Sequence, residues 1–314
     1  MSAAVKFINQ FPDPKKGKFD KNEWLQDHGK SSVLINCFSK DIYYPDHWTP
    51  LSMKCAFNGK EYYESGKLIQ VASDENFLVF NEGKEYTSYI QSDTEVESFT
   101  VNFSEWHVQS ILKGLTAKAI DNLNDPELNG KREGLHFTEK SYPYSKELKL
   151  RVLQLRRLTN EFGKNKDQIT EHILLILHDL ILIQCKNSLE SNNIHAFKRS
   201  TREELYKKLH RAKDHIDSSF HLDLSLDDLA KVCLMNPYYL LRMFKHYFKI
   251  TPYQYLTQVR IAEASRLLQL KKLTVTEVSH RVGYSDLSSF GKLFKKFTGQ
   301  LPSGLMNTQE KDPT

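Results

Sequence analysis

The sequence has little of what disulfide-rich, membrane-spanning or disordered proteins need. Its 314 residues include four cysteines and no Cys-x-x-Cys pair, which excludes a small disulfide-stapled fold and favours reduced thiols in a cytoplasm. The longest apolar stretch, from Ile173 to Ile183, is interrupted by His178 and Asp179. It is too short and too charged in its middle to cross lipid, so we expect no membrane segment. The N-terminus also lacks the apolar stretch of a secretory signal.

What is present is typical of a folded protein with two unlike halves. Hydrophobic residues make up 39% and charged residues 26% of the chain, values near globular averages, and the length predicts about two domains. Residues 201–314 contain 18 Lys and Arg against 12 Asp and Glu, whereas residues 1–200 contain 26 against 27. A basic half joined to a near-neutral half indicates that the C-terminal part contacts a polyanion. A solvated basic helical surface is the alternative.

Short β-type runs fill the first third of the chain. They are rich in β-branched and aromatic residues and are separated by turn signals such as Asn58-Gly59 and Ser92-Asp93. The predicted strands are 33–35, 51–57, 67–71, 77–80, 86–90 and 97–103. This spacing predicts an antiparallel β sandwich or barrel over residues 1–110.

Helical periodicity replaces the strand pattern after about Glu105, where a first short helix is predicted, and a gap around Asn129-Gly130 and Tyr142-Pro143 follows. Residues 111–190 are predicted to form a helical segment. One apolar stripe runs from Leu148 to Leu158 and a second from Ile169 to Leu180. Because the second helix is apolar around most of its circumference, it either packs inside its own domain or contacts a second copy of the chain in a homodimer. The sequence leaves both open. The polar stretch 191–203 is predicted to be a linker.

The remainder, residues 204–307, contains an internal repeat with a period of 50 residues. Arg242-Met243-Phe244-Lys245 recurs as Lys292-Leu293-Phe294-Lys295, and Pro252 recurs as Pro302. Each copy predicts a capped helix, a tight turn and a second helix, and the expected caps are Ser225, Asn236, Thr274 and Ser285. The second helices are expected to bury Leu240, Phe244 and Tyr247, and Phe290, Phe294 and Phe297. The fold class is therefore α+β multidomain, with an all-α double helix-turn-helix at the C-terminus.

A connecting helix is predicted between the two copies, over residues 252–270. Tyr255, Val259, Ala262 and Leu267 define its expected inward stripe. About 17 helical residues span roughly 25 Å. That length suits two helices held near the ~34 Å spacing of successive major-groove segments.

Motifs across the repeat carry a family resemblance. In order, they are Leu-x-x-Leu-Ala, Arg-Met-Phe-Lys, Thr-Pro, Arg-x-x-x-Ala-x-x-Leu-Leu, Val-Gly-Tyr-Ser-Asp, Ser-x-Phe-x-Lys-x-Phe-Lys-Lys and Gly-x-x-Pro. From about residue 204 to residue 307 the chain resembles the AraC/XylS family of transcriptional regulators. The resemblance implies binding to double-stranded promoter DNA and a cupin-like sensory domain in the β region, and RNA polymerase becomes a further expected partner.

The outward positions of the two second helices are the candidate DNA contacts. In the first copy they are Tyr238, Leu241, Arg242 and Lys245. The resemblance implies that Arg242 reaches a base edge, and guanine is the base that arginine recognises bidentately; a salt bridge to Asp227 or Asp228 is the alternative. Leu241 stands where relatives often carry a polar residue, and Lys249 stands where the second copy has Gly299.

In the second copy we expect mainly backbone contacts. The candidates are Ser285, Ser288, Lys292, Lys295 and Lys296. The lysines are expected to meet phosphates, with a solvated surface row as the alternative. The free N–H groups of the helices that begin at Ser285 and Thr274 are expected to bind phosphate oxygens.

The β domain offers a weaker candidate site. Its aromatic residues either line a mouth that binds a small-molecule effector or simply fill a small barrel. The candidate ligand contacts are Tyr43, Trp48, Phe57, Tyr63 and Tyr89.

No enzymatic motif is found. A catalytic cupin needs clustered metal ligands, yet His28 and His47 are the histidines of the β region, and Cys37 and Cys55 are expected to be ordinary buried thiols. We therefore expect no catalytic residue, no metal and no cofactor. The alternatives to a ligand-controlled regulator are a constitutive regulator and a metal-dependent cupin enzyme fused to a DNA-binding module.

Overall fold

The computed structural model describes residues 5–10, 31–114, 135–160, 165–191 and 199–307. The chain divides into two compact units, Met1–Lys207 and Lys208–Thr314. The first is rich in β structure and the second is helical, so the predicted mixed α+β class is confirmed. The sequence predicted the domain boundary between residues 203 and 204, and the structure divides the chain four residues later, between Lys207 and Lys208.

The first unit contains eight described strands and three complete helices. The strands are β1 Val5–Ile8, β2 Ser32–Thr49, β3 Ser52–Phe57, β4 Lys60–Ser65, β5 Leu68–Ser73, β6 Asn76–Phe80, β7 Lys84–Asn102 and β8 Ser141–Pro143. The helices are α1 Glu105–Gly114, α2 Lys146–Thr159 and α3 Lys166–Ser191. A fourth helix, α4 Arg199–Ser219, crosses the boundary between the units.

The sheet is organised around the long strand β7. Its described order is β1-β2-β7-β3-β6-β8, and β4 pairs with both β5 and β7. Most pairs are antiparallel as predicted, but β1 pairs with β2 in parallel, so the expectation of a purely antiparallel sheet was wrong. A parallel neighbour needs a long connection rather than a hairpin, and no local turn signal announces it.

The predicted turn at Ser92-Asp93 is a bulge inside β7 rather than a break. Opposite β2, the pairing moves from Asp41↔Gln91 to Ser39↔Val96, so several extra residues are accommodated on β7. The Ser92 hydroxyl accepts a hydrogen bond from the Thr94 amide at 3.2 Å. Local side-chain bonding thus satisfies the backbone where the ladder is interrupted, and the strand continues.

The two faces of this sheet bury different sets of side chains. One set lies between β3 and β6 on one side and β4 and β5 on the other, and its members are Ala56, Tyr63, Ala72, Leu78, Phe80, Tyr86, Ile90 and Val96. The other face packs against α2 and α3 through the predicted stripes, which include Leu148, Val152, Leu155, Ile169, Ile173 and Leu180. These two stripes are confirmed.

The first helix of the N-terminal region begins where it was predicted, at Glu105, so the β structure ends before the domain boundary expected at residues 110/111. Strand β8 lies in the gap expected around Tyr142-Pro143 and adds a strand to the sheet that was not predicted. Of the predicted linker 191–203, residues 192–198 lie outside the described residues and the chain is helical from Arg199. By length and composition alone, α3 over Lys166–Asn187 could cross a membrane, but its inner face is part of the core described above.

The second unit is built from the end of α4 and six further helices. These are α5 Leu226–Cys233, α6 Pro237–Phe248, α7 Pro252–Gln269, α8 Val275–Arg281, α9 Leu287–Thr298 and α10 Pro302–Asn307. Three of the four expected caps are confirmed, because Ser225, Asn236 and Thr274 each accept a hydrogen bond from a first-turn amide. Thr251, which was not predicted, caps α7 in the same way. Helix α7 contacts both helix pairs, α5–α6 and α8–α9.

The buried face of α7 differs from the predicted stripe. Ala262 is exposed and Tyr255 and Val259 are only half-buried. The face that packs inward carries Leu256, Arg260, Ile261, Ala264, Leu267 and Leu268. The prediction avoided a charged residue in the core, whereas the structure buries Arg260.

Arg260 is buried because its guanidinium is held by two carbonyl oxygens and an aromatic ring. Its Nε donates to the Phe220 carbonyl and its Nη2 to the Leu222 carbonyl, both at 2.7 Å. Its guanidinium carbon lies 5.2 Å from the centre of the Tyr284 ring. A buried charge with charge-assisted hydrogen bonds and an aromatic face is tolerated in a core. Arg260 thereby ties α7 to the end of α4 and to the turn before α9.

Gly283 shapes that turn and provides a test of this packing. It has φ +90°, and an added Cβ would lie 2.8 Å from the His221 carbonyl oxygen and 2.9 Å from Arg260 Nη2. Gly299 has φ +81° with open space around it. We expect Gly299→Ala to lower the free energy of unfolding by about 1–2 kcal/mol through the backbone alone. Gly283→Ala should cost about 2–5 kcal/mol, since overpacking is added.

Urea denaturation of both variants measures this difference. Equal losses for the two alanine variants would show that the Arg260 side of the turn is not tightly packed.

Candidate nucleic-acid interface

In the first helix pair, α5 and α6, one face of α6 is buried and the opposite face is exposed to solvent. Leu234 ends α5 in the left-handed conformation with φ 51°, and the Asn236 side chain accepts from the Tyr238 and Tyr239 amides. Leu240 and Phe244 are fully buried. These contacts fix the rotation of α6 about its axis, so the opposite face is exposed.

Three of the four predicted contacts on α6 lie on this exposed face. Tyr238 is 73% exposed, and Arg242 and Lys245 are exposed as well. Leu241 is only half-buried rather than fully outward. Its position between the buried and exposed faces of α6 leaves part of the side chain for an apolar contact.

Arg242 is held by an aromatic ring rather than by an acid. Its guanidinium carbon lies 5.5 Å from the centre of the Tyr239 ring, an interaction the sequence analysis missed. Within the described residues Arg242 forms no ion pair, and Asp228 pairs instead with Lys231 at 3.7 Å. The expected alternative of a salt bridge from Arg242 to Asp228 is therefore wrong. A guanidinium lying on a ring keeps its hydrogen-bond donors available while its orientation is restricted.

Helix α6 ends at the strained residue anticipated from sequence. Lys249 adopts the left-handed conformation with φ 64°, where its counterpart Gly299 has φ 81°. Lys249 Nζ donates to the His246 carbonyl at 2.7 Å. This bond partly offsets the cost of a side chain in that region.

The second helix pair, α8 and α9, begins its outer helix one residue later than predicted. The N-cap of α9 is Asp286 and not Ser285. The Asp286 carboxylate accepts from the Ser288 amide at 3.1 Å and the Ser289 amide at 2.7 Å. The expectation that free amides there bind phosphate is therefore wrong, because a carboxylate already occupies them.

The N-terminus of α8 is closed in the same way. The Thr274 hydroxyl accepts from the Glu277 amide at 3.2 Å, and the Thr274 amide donates to the Glu277 carboxylate at 2.7 Å. In this capping box the Thr274 hydroxyl satisfies a first-turn amide, and the Glu277 carboxylate satisfies the amide of the cap residue itself. The phosphate sites predicted at Thr274 and Ser285 are therefore both corrected, because a carboxylate, Glu277 or Asp286, lies at each helix start.

The remaining polar candidates on the second pair are exposed. They are Ser285, Ser288, Lys292, Lys295 and Lys296. Phe290 and Phe294 are buried as predicted, whereas Phe297 is 43% exposed, so its predicted burial was wrong. Phe297 lies two residues before Gly299, at the end of α9.

The five candidate ligand contacts of the β domain do not form one site. Phe57 is buried on the helix-covered face of the sheet, with the Arg156 guanidinium 4.5 Å from its ring centre. Tyr63 is buried on the opposite face. Tyr89 stacks on Tyr62 at 5.1 Å, Tyr43 is 61% exposed, and Trp48 is half-buried.

Catalytic chemistry finds little support in these residues. Burial raises the pKa of the Cys37, Cys55 and Cys233 thiols to about 12, which leaves them protonated and poorly nucleophilic at neutral pH. In the part of the chain that the structure describes, no group of three His, Cys, Asp or Glu side chains is placed to hold a metal ion. His28 lies outside the described residues.

Comparisons with known proteins identify the helical unit. A family described as "Helix-turn-helix domain" matches residues 229–308. The Msm operon regulatory protein of Streptococcus mutans is 33% identical over 95 residues, which are 30% of this chain and 34% of that protein. The bifunctional transcriptional activator/DNA repair enzyme AdaA of Bacillus subtilis is 33% identical over 101 residues, 32% of this chain and 48% of that protein.

Solved structures match the same kind of unit. The C-terminal domain of AraT, a response regulator from Geobacillus stearothermophilus, is 31% identical, and the match covers 34% of this chain and 91% of that one with a TM-score of 0.32. The chain spans about a third to a half of the length of the two curated relatives.

Asp286 provides a test of the electrostatics of this surface. Hydrogen bonds from Ser289 and Ser288 hold the pKa of its carboxyl below its usual range, so it is ionised at neutral pH. Its stabilising effect persists above the ordinary carboxyl pKa and is lost as the pH falls through the lowered value. Asp286→Asn keeps a capping oxygen but removes the charge. We expect tighter binding of any duplex DNA, most clearly at low salt.

Asp286→Ala is the matched control. It also removes the charge but loses the cap, so its melting temperature should fall while that of Asp286→Asn is better preserved. Unchanged duplex affinity of Asp286→Asn in fluorescence anisotropy would place this residue away from the DNA.

Proposed function

We propose that residues 229–308, which match a family described as "Helix-turn-helix domain", are the DNA-binding domain of an AraC/XylS-type regulator, and that this chain reads two adjacent major-groove segments of promoter DNA and regulates transcription. The pairs α5–α6 and α8–α9 are two helix-turn-helix units in this proposal, and α6 and α9 are their recognition helices. The chain is proposed to act in the cytoplasm.

The observation that carries the proposal is the surface of the helical unit. Between Asn236 and Gly304 the sequence has 11 Lys and Arg against 3 Asp and Glu. The exposed residues of α6 and α9 include Arg242, Lys245, Lys292, Lys295 and Lys296. Phosphate contacts supply most of the affinity of such proteins, and base contacts supply the specificity.

The connection between the two pairs supports adjacent binding. Helix α7 has 18 residues, which is about 27 Å of helix, and it contacts both pairs. A rigid connector of this length suits successive major-groove segments, which lie ~34 Å apart.

The two recognition helices are proposed to contribute differently. On α6, Tyr238, Leu241 and Arg242 are the base-reading candidates, with Arg242 on guanine. In the second pair, Ser285 before α9 and Ser288 and the three lysines on α9 supply mainly backbone affinity, since Gly291 offers no side chain and Leu287 no polar atom.

The role proposed for the β domain is control. It is a cupin-like domain that binds a small-molecule effector in this proposal, with the α2–α3 helices as a homodimer contact and RNA polymerase as a further partner. The homodimer contact is supported by two exposed apolar residues, Leu150 on α2 and Leu182 on α3. A constitutive regulator whose β domain is a scaffold remains the second candidate, and a thermal-shift screen separates it, because a bound effector stabilises the folded chain by mass action.

The proposed readout is tested on the DNA sequence selected by the protein from a random duplex library. Arg242→Ala should weaken binding to that sequence by about 1–3 kcal/mol and relax the preference at one base pair. Lys295→Ala should weaken all duplexes alike and reduce the salt dependence. An equal, sequence-independent loss in both variants would make Arg242 a phosphate contact, and no selected sequence at all would refute specific binding.

The ring under Arg242 gives a second prediction. Tyr239→Phe keeps the aromatic face, so sequence preference should stay near that of the parent protein. Tyr239→Leu removes the face and should reduce the preference at the Arg242 base pair, by up to about 1 kcal/mol for an exposed cation–π pair. In an Arg242→Ala background Tyr239→Leu should have no further effect; an undiminished effect there would assign Tyr239 its own DNA contact.

A further inference from the structure

The inner face of the β domain buries charged and polar side chains, of which only Tyr63 belonged to the predicted ligand contacts. Lys54 is 5% exposed, Glu61 4%, and Tyr63 and Asn102 2% each. We call these four residues the interior polar cluster. They lie among apolar neighbours on the face that Ala56 and Phe80 share.

Strand register places the cluster on one face. Lys54 pairs with Thr100 and Ser52 with Asn102 across β3 and β7. Because side chains alternate along a strand and paired residues point the same way, Lys54 and Asn102 lie on the same face as Ala56. Tyr63 packs with Ala56 in the same core, and Glu61 precedes it by two residues on β4.

The charges of the cluster are not neutralised by direct contact. Within the described residues neither Lys54 nor Glu61 forms an ion pair. Lys54 Nζ faces the Tyr86 ring at 5.2 Å. Glu61 Oε2 and both polar atoms of the Asn102 amide are buried without a hydrogen bond, and the Tyr63 hydroxyl lies beside the Glu61 carboxyl.

Such groups are costly in a protein interior. Buried charges are normally paired, and buried polar atoms are normally hydrogen-bonded. Burial raises the pKa of Glu61, although Ser98, Tyr63 and Lys54 oppose the rise. Burial lowers the pKa of Lys54 to about 8, against the attraction of Glu61. Groups retained at this cost commonly serve a function for which stability is given up.

The chemistry of the cluster defines its complement. We propose that it binds a small zwitterion with one carboxylate and one ammonium group, an amino-acid-type molecule. The ligand's carboxylate pairs with Lys54 and its ammonium group pairs with Glu61, while Tyr63 and Asn102 supply neutral hydrogen bonds. This inference rests on the effector-binding role proposed for the β domain.

Other ligand classes fit the cluster less well. A simple anion or cation neutralises one charge and leaves the other buried. A neutral sugar or polyol offers hydrogen bonds but no charge to either residue. Only separated opposite charges match both Lys54 and Glu61.

The test uses the full chain and a series of ω-amino acids, from glycine and β-alanine through 4-aminobutyrate to 6-aminohexanoate. The series varies the distance between the two charges, and butyrate, butylamine and xylitol are the controls. We expect one length to raise the melting temperature by about 5–10 °C at a hundredfold excess over its Kd. The controls should have no comparable effect, and calorimetry should give one site per chain.

Variants separate a ligand site from a structural role. Lys54→Met and Glu61→Gln should each abolish the response while keeping or raising the melting temperature of the free protein. Lys140→Met is the matched control, since Lys140 is equally buried in this unit but donates to the Tyr206 hydroxyl at 2.6 Å. It should lower the melting temperature and keep the response.

The proposal is overturned if no member of the series raises the melting temperature, if the polyol does so and the amino acids do not, or if the response survives both Lys54→Met and Glu61→Gln. DNA affinity of the same samples is measured separately by anisotropy. Zwitterion binding without DNA binding refutes the regulator and leaves this site intact. DNA binding without zwitterion binding refutes this site alone.

Discussion

The helical unit depends on one buried guanidinium. Arg260 donates to the two carbonyls that follow α4 and lies on the Tyr284 ring. Its Nη2 leaves no room for a side chain at Gly283. A lysine in its place would keep the charge but could not make this forked set of contacts. Arg260 therefore ties the connecting helix to the end of α4 and to the turn before α9, beside the apolar core and the Tyr255–Asp217 hydrogen bond that join the same elements.

That constraint gives the two proposed recognition helices unequal roles on one scaffold. Helix α6 carries an arginine already restrained by Tyr239, whereas α9 begins with the Asp286 carboxylate and continues with exposed lysines. The Asp286 carboxylate repels DNA phosphates at the start of α9. The exposed lysines further along the helix are therefore the groups that attract them. The first unit would then supply most of the sequence preference and the second most of the sequence-independent affinity.

Local signals predicted more of this protein than long-range ones. The caps at Ser225, Asn236 and Thr274 were correct because a short polar side chain before an apolar periodic run has few other roles. Ser285 failed because Asp286, the next residue, caps equally well. The stripe on α7 failed because pattern reasoning keeps arginine out of a core, and the two carbonyls that satisfy Arg260 are about 40 residues away in sequence.

The β domain shows the same limit. Strand runs were found, but the parallel β1–β2 pair depends on contacts that no hairpin signal encodes. The proposed aromatic ligand set mixed residues from both faces of the sheet, because aromatic composition was used without register. Lys54 and Glu61 were overlooked since charged residues in strands are normally assigned to solvent; only the pairing of β3 with β7 and the burial of β4 bring them inside.

The most direct test of the account is the spacing of the two DNA segments. Hydroxyl-radical footprinting on the selected duplex should protect two segments about one helical turn apart. Inserting five or ten base pairs between the two segments should reduce the affinity to that of a single segment in both cases, because α7 fixes the distance between the recognition helices α6 and α9. Protection of one segment only, or full affinity after the ten-base-pair insertion, would contradict a rigid two-helix reader.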